Sequence, residues 1–171
     1  MRERYNLPLI VAVLNLLFII FLNFLPKFPL SFPANPFYWN ILGLIFIALG
    51  LNVMLIAQKV NESYFSKPKK VKKLITHGVY SNIRHPGYAG FILINLGVFF
   101  IFKDFFALVI TSAFILFWYF LARFEEKILI KKYEKQYLEY MKKTPMFFPN
   151  SIKKLIMIIV AIFIIILLLF P

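Results

Sequence analysis

The sequence predicts an all-α integral membrane protein of about five transmembrane helices, on the strength of its composition and of where its charge lies. Of its 171 residues, 61% are hydrophobic and 19% aromatic, and the mean hydropathy is +0.80. Soluble domains hold roughly 45–50% apolar residues. The formal net charge of +13 would suit a nucleic-acid partner, but the Lys and Arg residues are confined to segments between long apolar runs. That is the pattern of a positive-inside membrane protein, and no nucleic acid is expected. The chain has no cysteine, which excludes disulfides, thiolate catalysis and cysteine-ligated metals. Its two histidines, His77 and His85, are too few for a zinc site without carboxylate help, and no metal is expected.

A spanning helix needs about 20 mostly apolar residues. The runs that approach this length are Leu7 to Leu25, Phe37 to Gln58, Tyr88 to Phe102, Phe105 to Ala122 and Leu155 to Phe170. The third is short and is joined to the fourth by Lys103-Asp104 alone, so the two are expected to form a tight hairpin of tilted or partly buried helices. Five spans are expected, with four as the alternative. The first run has no small-residue cleavage pattern before Pro26-Lys27-Phe28-Pro29, and reads as a retained helix rather than a signal peptide. Asn61 to Lys73 is polar, lysine-rich and interrupted by Pro68, a linker lying near anionic headgroups. Phe124 to Met141 places Ile128, Tyr133, Tyr137, Tyr140 and Met141 at helical spacing among Lys and Glu, the pattern of an amphipathic helix at the membrane surface.

Five spans that start with Arg2 and Arg4 in the cytoplasm put the seven basic residues from Lys59 to Arg84 and the nine from Arg123 to Lys154 on the same side. Only Lys27 and Lys103 are left outside, so the polar segments and the N-terminus are expected to be cytoplasmic. The chain then divides into an N-terminal two-helix membrane region (1–60), a central region containing the hairpin (61–150) and a C-terminal transmembrane helix (151–171).

Two polar clusters lie at span ends on this face. The first, His77-Gly78-Val79-Tyr80-Ser81-Asn82-Ile83-Arg84-His85-Pro86-Gly87-Tyr88-Ala89-Gly90, leads into the third run. Gly78, Gly87 and Gly90 permit close backbone approach, and Pro86 suits the first turn of a helix whose free N–H groups face an anion. Arg84 offers a planar fork for carboxylate or phosphate. The plainer reading of Arg84, His85 and Tyr88 is interfacial anchoring. The second cluster, Arg123-Phe124-Glu125-Glu126, sets two carboxylates beside the membrane, where they need a partner or a ligand. The plainer reading there is a solvated helix start with weak ion pairs to Lys. The hairpin returns both clusters to one face, which favours a shared site.

At these residues the chain resembles the membrane methyltransferases that include isoprenylcysteine carboxyl methyltransferases and phospholipid N-methyltransferases. The resemblance covers about Leu74 to Pro149. It rests on Gly78-Val79-Tyr80, on Arg84-His85-Pro86 with Tyr88 and Gly90, on the apolar hairpin, on Arg123 with Glu125-Glu126, on Tyr137-Leu138-Glu139-Tyr140 and on the stretch from Pro145 to Pro149. One departure is Glu134, where relatives commonly carry glycine after an aromatic residue, here Tyr133. The expected consequence is a helix that continues through this point.

The resemblance implies a cytoplasmic C-terminal catalytic region with an S-adenosyl-L-methionine pocket closed off from bulk water, and a lipophilic acceptor entering from the bilayer. It implies cofactor contacts from His77, Gly78, Val79, Tyr80, Arg84, His85, Pro86, Tyr88 and Gly90. Glu125 or Glu126 would hold the polar amino-acid portion of the cofactor, and Arg123 with Glu125 would be the catalytic pair, Arg123 orienting the acceptor. A carboxylate acceptor needs no base, whereas an amine acceptor needs one, from His85, Glu125 or Glu126. Both acceptors stay open at this point, as do an NADPH-dependent lipid or sterol reductase and a non-enzymatic membrane scaffold. Phe99, Phe100, Phe102, Phe105 and Phe106 read as packing groups, Tyr38, Trp39, Trp118 and Tyr119 as interface anchors, and Asn52, Gln58 and Asn95 as interhelical hydrogen-bonding groups.

Overall fold

Apolar runs form helices because a chain in lipid must satisfy its backbone hydrogen bonds internally. In the computed structural model, which describes residues 6–30, 36–65 and 73–149, every regular element is helical, with a single isolated bridge between Pro29 and Asp104. Helix α1 spans Asn6–Phe21 and ends in a 3-10 turn at Leu22–Phe24, α2 spans Pro36–Phe65, and α3 spans Pro86–Phe102. The last, α4, spans Phe105–Lys143, and a 3-10 turn at Gly78–Ser81 precedes α3. Two described helices are long and apolar enough to cross a membrane, α2 over Pro36–Asn61 and α4, while α1 and α3 are shorter apolar helices. The expected fifth run from Leu155 to Phe170 lies outside the described residues, as do Arg2, Arg4 and most of the lysine-rich linker.

Glycine decides how α2 and α3 pack. An ideal Cβ at Gly43 would lie 2.6 Å from the carbonyl oxygen of Gly97, and one at Gly50 would lie 2.6 Å from that of Gly90. The two backbones therefore touch at two points seven residues apart on each antiparallel helix. Between helices in lipid there is no hydrophobic driving force, so close backbone approach of this kind supplies the dispersion contact that holds them. Asn95 of α3 ties in the other two helices. Its side chain accepts from Asn15 of α1 at 2.9 Å and donates to the Phe91 carbonyl at 2.8 Å, and its own carbonyl accepts from Thr111 of α4 at 3.1 Å. Asn52 points outward from α2 instead.

The α3–α4 hairpin is made by two adjacent residues. Lys103 takes a left-handed conformation (φ 51°) that ends α3, and its ammonium bonds the Phe100 and Ile101 carbonyls and Asn40, which offsets the cost of a positive φ in a non-glycine residue. Asp104 caps α4 by accepting from the Phe106 N–H at 2.9 Å and also from the Phe28 N–H at 2.6 Å, so one carboxylate fixes both the hairpin and the loop after α1.

Helix α4 continues from the apolar run into the expected amphipathic segment as one element, but it breaks at Glu134, which adopts φ 46°, ψ −123°. This corrects the expectation of a continuous helix. The turn that glycine makes easy is kept here by a residue with a side chain, at a cost of order 1–3 kcal/mol. A second correction concerns Trp118. It is fully buried in a cluster with Val11, Ile92 and Leu121, stacked on Phe91 with ring centroids 4.6 Å apart, and does not face a membrane interface.

Gly97→Ala sets a methyl group 2.5 Å from the Gly43 carbonyl oxygen and is expected to lower stability by about 1–3 kcal/mol, the usual cost of overpacking. Gly87→Ala, with nothing within 4 Å of the added atom, should be neutral or better in the same detergent melting measurement. Glu134→Gly is expected to raise the melting temperature by relieving the positive φ, with a gain of about 1 kcal/mol.

Candidate functional site

The site grows from the short segment before α3. Gly78 has φ 62°, and an added Cβ would press on Val60 of α2 at 3.1 Å, so glycine is required for this segment to lie against α2. Pro86 starts α3 without needing an N–H partner, and His85 precedes it with φ −124°, ψ 65°. The N–H groups of Arg84 and His85 are claimed by the chain beyond α4, donating to the carbonyls of Pro145 at 2.9 Å and Met146 at 3.0 Å. The break at Glu134 makes this return possible.

Arg84 fastens the arrangement. Its Nε donates to Glu126 Oε1 at 2.8 Å and its Nη2 lies 2.7 Å from the same oxygen, both side chains being nearly buried. Its Nη1 reaches the Met141 carbonyl at 3.1 Å and the Thr144 carbonyl, placing a cation on the unpaired carbonyls that end α4. One guanidinium thus joins both arms of the broken helix to the start of α3. Tyr140 donates its hydroxyl to the Tyr80 carbonyl, and Asn61 of α2 donates to the Tyr80 hydroxyl at 2.9 Å.

These contacts border a partly open cavity of about 410 Å³, within the range of small-molecule sites. Of the residues expected to contact a cofactor, Tyr80, Arg84, His85, Pro86 and Tyr88 line it, together with Glu125. The other expected residues lie elsewhere. His77, Gly78 and Val79 are not part of the lining, and Gly90 is taken up by the contact with Gly50 and Met54 of α2. Glu126 is 1% exposed and committed to Arg84, while Glu125 keeps 45% of its side chain exposed. Arg123, 51% exposed, touches Glu126 at 3.4 Å and is not part of the lining. Adjacent helical residues point about 100° apart, and this separates the two glutamates into one facing the cavity and one facing the protein.

Several lining residues were not among the expected site residues: Asn61, Leu74, Ile75, Leu129, Lys132 and Tyr133, with Tyr137 and Tyr140 from beyond the break. The helical recurrence of Tyr133, Tyr137 and Tyr140 was a signal for the aromatic wall. Nothing local marked Leu74, Ile75 or Asn61, which the fold carries there from the linker and from the end of α2. Among the described residues no three His, Asp or Glu side chains converge as metal ligands do.

His85 sits between the two carboxylates, Nδ1 3.5 Å from Glu125 and Nε2 3.4 Å from Glu126, and stacks on Tyr88 with ring planes 3° apart. Burial opposes its charged form, but the bonds and charges of the two glutamates outweigh burial and raise its pKa above the ordinary value. Burial likewise works against ionised Glu125 and Glu126, and His85, with Tyr88 for the first and Arg84 for the second, holds both below the usual carboxylate range. Burial pushes the Tyr140 phenol up to about 12, so it stays a neutral donor.

A histidine whose folded pKa is raised contributes stability that is complete below its unfolded pKa, about 6.5, and is lost as pH rises through the folded value. The depressed glutamates contribute stability above about 4.5 that is lost as pH falls through their folded values. Melting temperatures should therefore fall as pH is raised above about 6.5, and His85→Gln should flatten that slope even though it lowers the starting value.

The profile of the family described as Phospholipid methyltransferase matches residues 27–136. The protein-S-isoprenylcysteine O-methyltransferase of Saccharomyces cerevisiae is 36% identical over 112 residues, covering 61% of this chain and 46% of that protein. The Schizosaccharomyces pombe protein of the same name is 29% identical over 128 residues, covering 70% and 52%. A probable protein-S-isoprenylcysteine O-methyltransferase of Oryza sativa subsp. indica is 35% identical over 75 residues, covering 40% and 39%. The chain thus spans about half the length of these relatives, or less. Because the family profile takes in α2, α3 and α4 as far as the break, and with them most of the enclosed site, this chain belongs to the phospholipid methyltransferase family.

Proposed function

We propose that this chain is a membrane-embedded, S-adenosyl-L-methionine-dependent methyltransferase acting on a lipophilic carboxylate, of the isoprenylcysteine carboxyl type. The observation that carries this reading is the division of labour between the glutamates: Glu126 is consumed by Arg84, and Glu125 stands half-exposed in a cavity walled by tyrosines. That lining fits the donor. A free carboxylate suits its ammonium group, the rings of Tyr133 and Tyr137 suit a sulfonium cation, and Leu74 and Ile75 offer apolar wall for the base.

When bound, the donor would supply an electrophilic methyl group for the lone pair of an acceptor carboxylate oxygen, its sulfur keeping the electron pair of the sulfur–methyl bond. No proton moves in that exchange. The chain's task is positioning and exclusion of water. Glu125 anchors one end of the donor, His85 and Tyr88 set the direction of Glu125, and Arg84 holds the walls together. Arg123 acts through Glu126 as a positioning residue.

A phospholipid N-methyltransferase is the nearest alternative, in keeping with the family's name. An amine acceptor must lose a proton, and the candidate bases are already engaged: His85 lies between two carboxylates that favour its protonated form, and the pKa of Glu125 is lowered, which weakens it as a base. This favours the carboxylate reading. In the bilayer, the proposed arrangement has five spans, with residues 61–150 forming a catalytic region whose cavity opens on the cytoplasmic side and whose acceptor arrives from lipid.

Calorimetry on the detergent-purified chain should show saturable binding of S-adenosylmethionine and of its demethylated product, and none of NADPH. Glu125→Ala should weaken that binding roughly 10- to 100-fold, the worth of a bond to a charged group. Binding of NADPH alone would replace this reading with a lipid reductase, and binding of neither ligand would leave a scaffold.

A further inference from the structure

The polar groups that line the cavity differ in what they can offer a ligand. Glu125 only accepts hydrogen bonds when ionised, Lys73 and Lys132 only donate, and each tyrosine brings a single hydroxyl. Arg84 is spent on Glu126 and on the end of α4, and His85 is held between two carboxylates. Among the described residues of the lining, Asn61 is the one carboxamide, a flat group that sets an acceptor oxygen beside an amide nitrogen with two N–H donors.

Asn61 lies near the end of α2, and its amide is held in place. Its Nδ2 donates to the Tyr80 hydroxyl at 2.9 Å, and the Tyr80 carbonyl accepts in turn from the Tyr140 hydroxyl. The bond to Tyr80 uses one of the two N–H groups, so the amide still carries a second N–H and its oxygen for a ligand. Leu74 and Ile75 line the cavity from the segment that leads into the turn at Gly78–Ser81. Gly78 of that turn lies against Val60, the neighbour of Asn61. The amide thus stands by the apolar wall, on α2, while Glu125 belongs to α4.

Resting on the methyltransferase reading, we propose that Asn61 reads the adenine of the donor: its Oδ1 accepts from the exocyclic amine and its second N–H donates to the adjacent ring nitrogen, with Leu74 and Ile75 against the ring face. Adenine presents an amine donor beside a ring-nitrogen acceptor, and a carboxamide complements that pair with two bonds. No other side chain of the lining offers both halves in one plane. A base with a carbonyl in place of the amine sets oxygen against oxygen and leaves the amide unpaired, which a site of this kind rejects. The bond to Tyr80 orders the amide in advance, which lowers the cost of binding.

The test compares two ligands of the detergent-purified chain by calorimetry. One is S-adenosylhomocysteine, the demethylated donor product, and the other is S-inosylhomocysteine, which carries a carbonyl where adenine has its amine. The wild-type chain is expected to bind the adenine compound at least about tenfold more tightly. Asn61→Leu keeps the size and removes both hydrogen-bonding groups, and should bring that ratio to within about threefold of one. Asn61→Asp keeps the shape and can accept the Tyr80 hydroxyl proton, so it serves where the leucine variant does not fold. Its second oxygen replaces the N–H, and the ratio should fall at least about threefold. An amide that only ties α2 to the turn would change the melting temperature and leave the ratio as it is. A wild-type ratio near one, or a wild-type ratio preserved in a folded variant, overturns the proposal. Failure of the wild-type chain to bind either compound would instead sink the methyltransferase reading itself.

Discussion

The buried ion pair of Arg84 and Glu126 is the contact on which the site depends. Two charges withdrawn from water cost several kcal/mol each, and the pair is tolerable only if every remaining donor is used. Here Nε and Nη2 hold the carboxylate and Nη1 is used for construction. The guanidinium spends its other N–H groups on the carbonyls at the end of α4, and the carboxylate oxygens also face His85 and Arg123. Charge that would otherwise be a liability near the membrane becomes the fastener of three chain segments that are far apart in sequence. Loss of either partner would strand the other, which explains why the site has no slack at this point.

From that fastener follows the electrostatic character of the cavity. With Glu126 paired to Arg84, Glu125 is the carboxylate left to the lining, which also carries Lys73 and Lys132, and His85 sits between the two glutamates. A carboxylate among phenol rings offers partners to a ligand with a positive charge and an apolar body.

The membrane part serves the site by rigidity. Glycine contacts bring α2 against α3 at backbone distance, which places Asn61 within reach of Tyr80 and carries the end of α2 to the cavity wall. The Asn15–Asn95 pair does for α1 what the glycines do for α2. At the far end of the hairpin, Asp104 and Lys103 fix the register of α3 against α4, and this register decides that Glu125 and His85 meet.

The sequence by itself determined that the protein is helical, that its helices are apolar enough for lipid, and that two polar clusters return to one face, because hydropathy runs, charge segregation and the Lys103-Asp104 link are local properties. It favoured a shared site for the glutamate pair, the histidine and the arginine, and the fold brings them within ion-pair distance. It did not determine which glutamate faces the cavity, because that depends on the rotation of α4 against α3, nor that Gly90 packs against α2, because its partners Gly50 and Met54 lie some forty residues away. Glu134 was read as helix-continuing on its residue type, yet the chain breaks there, since the bonds that Arg84 makes on both sides of the break outweigh one residue's preference for negative φ. Trp118 looked like an interface anchor from its composition alone, and only tertiary packing, which closes Tyr88, Phe91 and Phe147 around it, buried its indole beside the cavity. Residue type sets what a side chain can do, and the long-range contacts decide which of those possibilities remains.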